Sequence, residues 1–280
     1  MKKLIIILYA VIGSLSHMNA QSSEKNRLSI HAGGGLHGLA YKLKAAGSDR
    51  VSSFGYTAGL TYQRFFNARW SAGLGVGISS YKTRSTLQRY HDSYPAIDMD
   101  ADPYTMNIEL DGLKERQTAD ILEIPLTAHY EMPLVKDLIV WAGAGIQIGI
   151  PLRASYTVES GSITTSGYYE QYNWTAEDFP AHGFYTDQLS GKSADLTLAT
   201  AFSGLLETGI GYKMSKRTLL TAGIYSCIGL NDINNEPGNS PGILSTEGNF
   251  NKYNGLLASG WMGPVRPFSV GMRLGIAFAL

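Results

Sequence analysis

From residue 268 to 280 every second position is apolar. Phe268, Val270, Met272, Leu274, Ile276, Phe278 and Leu280 fall on one face, and Ser269, Gly271, Arg273, Gly275, Ala277 and Ala279 on the other. A strand of this length with a small or polar second face fits a closed barrel that meets lipid outside and encloses a narrow lumen. Residues 54–63 and 70–79 repeat the pattern around a short turn at 66–69: Phe54, Tyr56, Ala58, Leu60 and Tyr62, then Trp70, Ala72, Leu74, Val76 and Ile78, all oppose Gly, Ser, Thr or Gln. The same reading places strands at 122–131, 138–150, 199–212 and 219–229. A first strand spans 28–40, where Gly33, Gly34 and Gly35 blur the alternation. The expected fold is an all-β, eight-stranded antiparallel transmembrane barrel whose last strand closes on the first.

Connection lengths alternate. Those at 64–69, 132–137 and 213–218 are tight; those at 82–120, 152–195 and 230–266 are long; 41–52 is intermediate. Short periplasmic turns and long extracellular loops, with both termini in the periplasm, describe an outer-membrane barrel. Loops this long would count against a soluble domain. No stretch beyond the N-terminus is apolar enough to span a bilayer as a helix.

The N-terminus reads as a secretory signal peptide over 1–20. Lys2 and Lys3 precede an apolar run from Leu4 to Gly13, and Ala20 precedes Gln21 at an acceptable cleavage site. The barrel domain is then 21–280, exported into the envelope of a Gram-negative bacterium. Loss of the two lysines from 23 basic residues leaves 21 against 23 acidic ones, a net charge of −2. No nucleic-acid partner is expected from that balance. The single cysteine, Cys227, excludes an internal disulfide. The 32 glycines and 17 tyrosines suit a crowded lumen and interfacial girdles.

Two short motifs and the last strand carry a family likeness. Leu122-Glu123-Ile124-Pro125-Leu126, Gly229-Leu230-Asn231-Asp232-Ile233 and the strand containing Arg273 resemble the PorT-like outer-membrane β-barrel family over about residues 28–280. That resemblance implies an outer-membrane barrel without enzymatic activity, in some members tied to type IX secretion. Leu280 stands where a terminal aromatic is usual, with Phe278 two residues earlier.

Strand phase directs Glu123, His129, Glu207 and Arg273 into the lumen, with Gln147 nearby. Glu207 and Arg273 should lie at matching heights. Eight strands leave an interior that side chains can fill, so a salt-bridge plug is expected ahead of a small-solute pore. Asp98, Asp100, Asp102 and Glu109 fall at the offsets of oxygen ligands in a calcium loop, although Pro103 sits where the sharp turn wants glycine. A solvated acidic loop is the plainer reading. Tyr168, Tyr169, Tyr172, Trp174, Phe179, Phe184 and Tyr185 crowd one long loop, either as a partner-binding surface or as packing over the barrel mouth, and Trp261 could join either. Of His31, His37, His91, His129 and His182, only His37 near the outer end of the first strand suggests a base for a barrel hydrolase acting on lipid or peptide, and no serine–histidine–carboxylate spacing supports it. No cofactor is implied. The expected partners are outer-membrane lipid, lipopolysaccharide and an envelope or secretion protein.

Overall fold

The period-two segments form strands, and the strands form a ring. The computed structural model describes residues 26–43, 47–98, 100–235, 244–247, 250–258 and 262–280; the signal segment and Trp261 lie outside them. The barrel strands are β1 (Asn26–Ala40), β2 (Ser48–Phe65), β3 (Trp70–Ile97), β4 (Pro103–Val135), β5 (Leu138–Tyr169), β6 (Ala201–Lys213), β7 (Thr218–Gly229) and β8 (Arg266–Ala279). Each pairs antiparallel with its neighbour, and β8 pairs with β1 from Ala279 opposite Arg27 to Arg266 opposite Ala40. No edge is left open in the lipid-facing part, as an unpaired backbone in hydrocarbon would require a partner that lipid cannot supply.

The tight connections are held locally. Asn67 Oδ1 accepts the N–H groups of Arg69 and Trp70 at 2.9 and 2.8 Å, which sets the β2–β3 turn. At the same end, Leu280 N–H donates to the Asn26 carbonyl. Outward positions form the expected apolar belt, including exposed Leu60, Leu74, Leu126, Ile146, Leu206, Met272 and Leu274. It stops at Ile78 on β3, Leu122 on β4 and Leu152 on β5, beyond which Lys82, Asp120 and Arg153 follow.

The long segments 82–120 and 152–195, expected as loops, are mostly strand. β3, β4 and β5 run on past the belt as a three-stranded sheet paired as far as Ile97 opposite Pro103 and Thr105 opposite Tyr168. Alternation persists there with its sense reversed. Leu87, Ile108, Leu110, Leu113, Tyr156 and Val158 are buried on the inner face, while Arg84, Arg116 and Glu109 are exposed on the outer. Water replaces lipid as the outer solvent, so the apolar residues turn inward. Two bulges interrupt the β4–β5 pairing, with register shifts between Asp120 and Ile121 and again between Asp111 and Lys114, while on β4 the inward phase runs on from Glu123 through Ile121 and Glu115 to Leu113. Gly112 and Gly161 have φ of +60° and +131° beside the second shift, and a Cβ on Gly161 would come within 2.7 Å of Leu113 Cα.

The chain after β5 returns along the projecting sheet. Trp174–Ala176, Thr186–Gln188 and Ser193–Asp195 pair in turn with the outer edge of β5. The last long connection forms a small hairpin, Leu244–Glu247 with Phe250–Tyr253, and a 3-10 turn at Leu256–Ala258. Leu244, Tyr253 and Leu256 enter the core of the projecting sheet. Leu257 joins a second apolar cluster, with Leu39, Tyr41, Tyr81, Ile121, Ile233 and Val265, across the barrel mouth.

Candidate functional site

The lumen is layered. In the half near the tight turns, Arg273 Nη1 donates to Glu207 Oε2 at 2.8 Å, and His129 Nε2 lies 3.4 Å from Glu207 Oε1. β7 lies between β6 and β8 in the sheet, so Glu207 and Arg273 meet across the lumen; a Cβ on Gly33 would press on Arg273 and one on Gly143 on Glu207. A Cβ on Gly143 would meet His129 Nδ1 at 2.8 Å. The Arg273 guanidinium also lies 4.8 Å over the Tyr225 ring. Strand phase thus brings together Glu207, Arg273 and His129.

Glu123 is bonded elsewhere. It accepts from Ser79 Oγ at 2.6 Å and Tyr81 OH at 2.7 Å, a layer nearer the mouth. Two further charges belong to the lumen and were not foreseen. Arg27 forms a two-pronged ion pair with Glu131 beside the tight turns and covers the Phe65 ring at 4.6 Å. Both share the inward phase of residues 29 and 129: Glu131 is the last residue of the strand read at 122–131, and Arg27 lies one residue before that read at 28–40. These groups border a small cavity of about 70 Å³ lined by His31, Gln63, Thr127 and Trp141 as well.

Toward the mouth the lumen is filled. His37, fully buried, shares a hydrogen bond with Tyr225 OH and packs at a tilt against the Tyr81 ring. Above it lies the apolar cluster at the mouth, so the imidazole suggested as a base is enclosed by protein. Higher still, Glu115 is fully buried and accepts from Tyr253 OH at 2.5 Å, from the Leu256 N–H at 3.0 Å and from Gln117. Burial raises its carboxyl above the ordinary value, against the pull of those three donors. Glu115 shares the inward phase of Gln117, Ala119 and Ile121, but a segment read as a loop offered no phase to extend.

At the tip of the projecting sheet Asp98 shapes the β3–β4 turn. Its Oδ1 accepts the N–H groups of Asp100 and Asp102 at 3.0 and 2.9 Å, and its Oδ2 accepts from Tyr169 OH at 3.0 Å. The Asp102 amide, with these others, holds the Asp98 carboxyl below the usual carboxylate range. Asp102 accepts from Tyr172 OH at 3.1 Å. Glu109 faces outward on β4 opposite His91, away from this turn. The four carboxylates at calcium-loop offsets are not gathered: a regular ladder separates Glu109 from the turn, and among the described residues no group of three or more such side chains is placed to hold a metal ion.

The aromatic cluster divides. Phe184 and Tyr169 are buried in the core of the sheet, where Tyr104 packs against both. Tyr168 and Tyr185 are half-buried. Tyr172, Trp174 and Phe179 are exposed at 62%, 49% and 49%; Trp174 stacks on Tyr169 at 5.8 Å and meets Phe179 edge-on. Packing and presentation coexist in one segment.

The model of the outer membrane protein beta-barrel domain matches residues 19–235. The chain belongs to that family. It is an outer-membrane β-barrel protein of the Gram-negative type, and its ring of eight antiparallel strands is the family's barrel closed by β8. Among solved structures it is similar to Neisserial surface protein A, at 12% identity and a TM-score of 0.42, over 94% of this chain and 100% of that one. It is also similar to OprG from Pseudomonas aeruginosa, at 13% identity and a TM-score of 0.39, over 93% and 98%. Ail of Yersinia pestis follows at 12% identity and a TM-score of 0.31, over 91% and 99%. Likeness of this degree carries no weight for function. None of the curated proteins matches the sequence.

Proposed function

We propose that this protein is a non-enzymatic surface barrel that binds a partner through the sheet built from residues 82–120 and 152–195. Its long connections face the outside of the cell and its termini face the periplasm. The observation that carries this reading is the sheet itself. A connection that only joined strands would not need its own buried core, yet β3, β4 and β5 continue beyond the lipid belt and present Tyr172, Trp174 and Phe179 on a rigid support. Aromatic side chains held in this way bind with little further loss of conformational freedom.

Exposed Arg84, Arg116 and Arg153, just past the belt, suit the phosphates of outer-membrane lipid and lipopolysaccharide. The PorT-like resemblance favours an envelope or secretion protein, including the type IX machinery, as the partner at the tip. The lumen acts as a plug, since its charges pair with one another and the mouth is filled.

The test is crosslinking in intact cells from residues placed at 172 and 174, with the captured species identified. A parallel strain carries the β3–β4 hairpin shortened above Arg84 and Arg116. Capture of one defined envelope protein, lost on shortening while the barrel still shows heat-modifiable migration, supports the proposal. Capture of lipopolysaccharide alone, or of nothing, removes the protein partner.

A further inference from the structure

A groove of about 560 Å³ lies on the outer face of the projecting sheet, and its lining includes neither Tyr172 nor Trp174. Its floor is the β4–β5 ladder, where Asn107 stands opposite Ser166 and Glu109 opposite Thr164. Its wall is the returning chain. That chain leaves β5 where Ala176 pairs with Gly167 and rejoins it where Thr186 pairs with Thr164. Glu177 and Asp178 line the groove from the start of this excursion, Tyr185 and Thr186 from its end.

Floor and wall are fixed to each other. Thr165 N–H donates to the Tyr185 carbonyl at 3.0 Å; its hydroxyl donates to the Gly183 carbonyl at 2.7 Å and accepts from the Tyr185 N–H at 3.1 Å. Between these bonds Phe184 is buried in the core of the sheet. The volume falls within the range of small-ligand sites, about 300–1,000 Å³. Walls already in place lose little conformational freedom on binding.

The lining selects the chemistry of the occupant. It holds no lysine or arginine, so a phosphate, sulfate or carboxylate would meet no counter-charge there. It holds no aliphatic side chain, so a lipid tail would find no apolar surface. Its carboxylates do not converge either: among the described residues no three histidine or acidic side chains are placed to hold a metal ion. They are interspersed with the Asn107 amide and the hydroxyls of Thr164, Ser166 and Thr186. The Thr164 and Thr186 hydroxyls bond each other at 3.0 Å and keep one hydrogen and further lone pairs for a ligand. Acceptors and donors spread along a groove match a molecule with a hydroxyl on most of its carbons. Tyr185 adds an aromatic ring, the kind of surface on which the C–H face of a sugar packs.

We propose that this groove binds an uncharged oligosaccharide, one without phosphate, sulfate or carboxylate groups. Glu109, Glu177 and Asp178 accept from its hydroxyls in charge-assisted bonds, and the Asn107 amide donates to it. The site goes beyond the partner-binding reading, which is tested at 172 and 174 and stands or falls without it.

The probes are the neutral trisaccharides of glucose, mannose, galactose and N-acetylglucosamine. Each is added to the full chain in a polyoxyethylene detergent, whose head group carries no sugar. At least one should bind with a Kd below about 1 mM and slow hydrogen exchange at residues 107–109 and 177–186. Glu109→Ala and Asp178→Gly each remove one exposed carboxylate, and glycine suits the φ of +61° at 178. Each should weaken that trisaccharide at least about tenfold, as the loss of a hydrogen bond to a charged group does, while Trp174→Ala leaves it unchanged. Binding of none of the four, or binding that survives Glu109→Ala combined with Asp178→Gly, would overturn the proposal. So would tighter binding of trilysine or of a sulfated trisaccharide, or a loss with Trp174→Ala equal to that of the groove variants, which would move the sugar to the tip.

Discussion

The Tyr253 hydroxyl donates to Glu115 Oε2 at 2.5 Å and so ties the last long connection to the inner face of β4. Among the described residues no lysine or arginine answers this buried carboxylate; its bonding partners are Tyr253, Gln117 and the Leu256 amide. The position of Leu256–Ala258 over the mouth depends on those donors as well as on apolar contact. Tyr253→Phe removes one of them from a charged acceptor and should cost about 1.5–3 kcal/mol of local stability. Faster proteolysis of the connection with an unchanged barrel would show it; unaltered cleavage would mean that packing alone holds the mouth.

The same carboxyl makes the mouth sensitive to pH. Burial places its folded-state pKa above the ordinary value. Such a group contributes stability that is complete below its unfolded pKa, about 4.3, and is lost as pH rises through the folded value. Hydrogen exchange of residues 253–258, corrected for intrinsic rates, should therefore report a firmer mouth near pH 4 than at neutrality. Glu115→Gln should flatten the profile.

In the lumen, Glu207→Gln or Arg273→Met alone leaves a partner charge buried and should cost about 3–5 kcal/mol. The double substitution should cost less than the two singles combined, and unfolding of all four proteins in one detergent gives the coupling. Planar bilayers containing the unaltered protein should show no steady conductance. A large, stable channel would contradict the plug.

Gly161 is a local test of the reversed alternation. Gly161→Ala forces a side chain onto φ +131° and against Leu113 Cα. A loss of about 1–3 kcal/mol is expected, confined to the projecting sheet. Trypsin sensitivity near Lys114 should rise while heat-modifiable migration stays unchanged. Loss of both would place the strain in the barrel itself.

At the tip, Asp98 already accepts two amides and a tyrosine hydroxyl, which is the work of a turn cap. Asp98→Ala should speed proteolysis between Ile97 and Pro103. Calcium at millimolar concentration should leave the cleavage rate of the unaltered protein the same as in chelator.

The barrel was legible because lipid imposes a strict code: large apolar outward, small or polar inward, with period two. Phase alone put Glu207, His129 and Arg273 on the inward face, and strand heights matched Glu207 with Arg273. The projecting sheet was not legible by that code. Leu113, Tyr156 and Val158 alternate as regularly as Leu122 and Ile124, but their apolar face points inward, because water rather than lipid lies outside, and the bulge near Asp120 shifts the phase of β5 against that of β4. Arg27 and Glu131 were missed for a simpler reason: Arg27 lies one residue outside the strand read at 28–40, and Glu131 is the last residue of that read at 122–131. The hairpin and 3-10 turn over the mouth fill their site through tertiary contact with β4, and nothing periodic in 230–266 announces it.

The β3–β4 ladder, which keeps a single register along its whole length, has a mechanical consequence. From Trp70 opposite Tyr130 to Ile97 opposite Pro103, the chain is already near full extension. A slack connection would stretch under tension and absorb it. Here a pull on the tip passes along two taut strands to the barrel wall, loading their hydrogen bonds side by side in shear. A partner gripping the sheet would pull on the membrane through a stiff link.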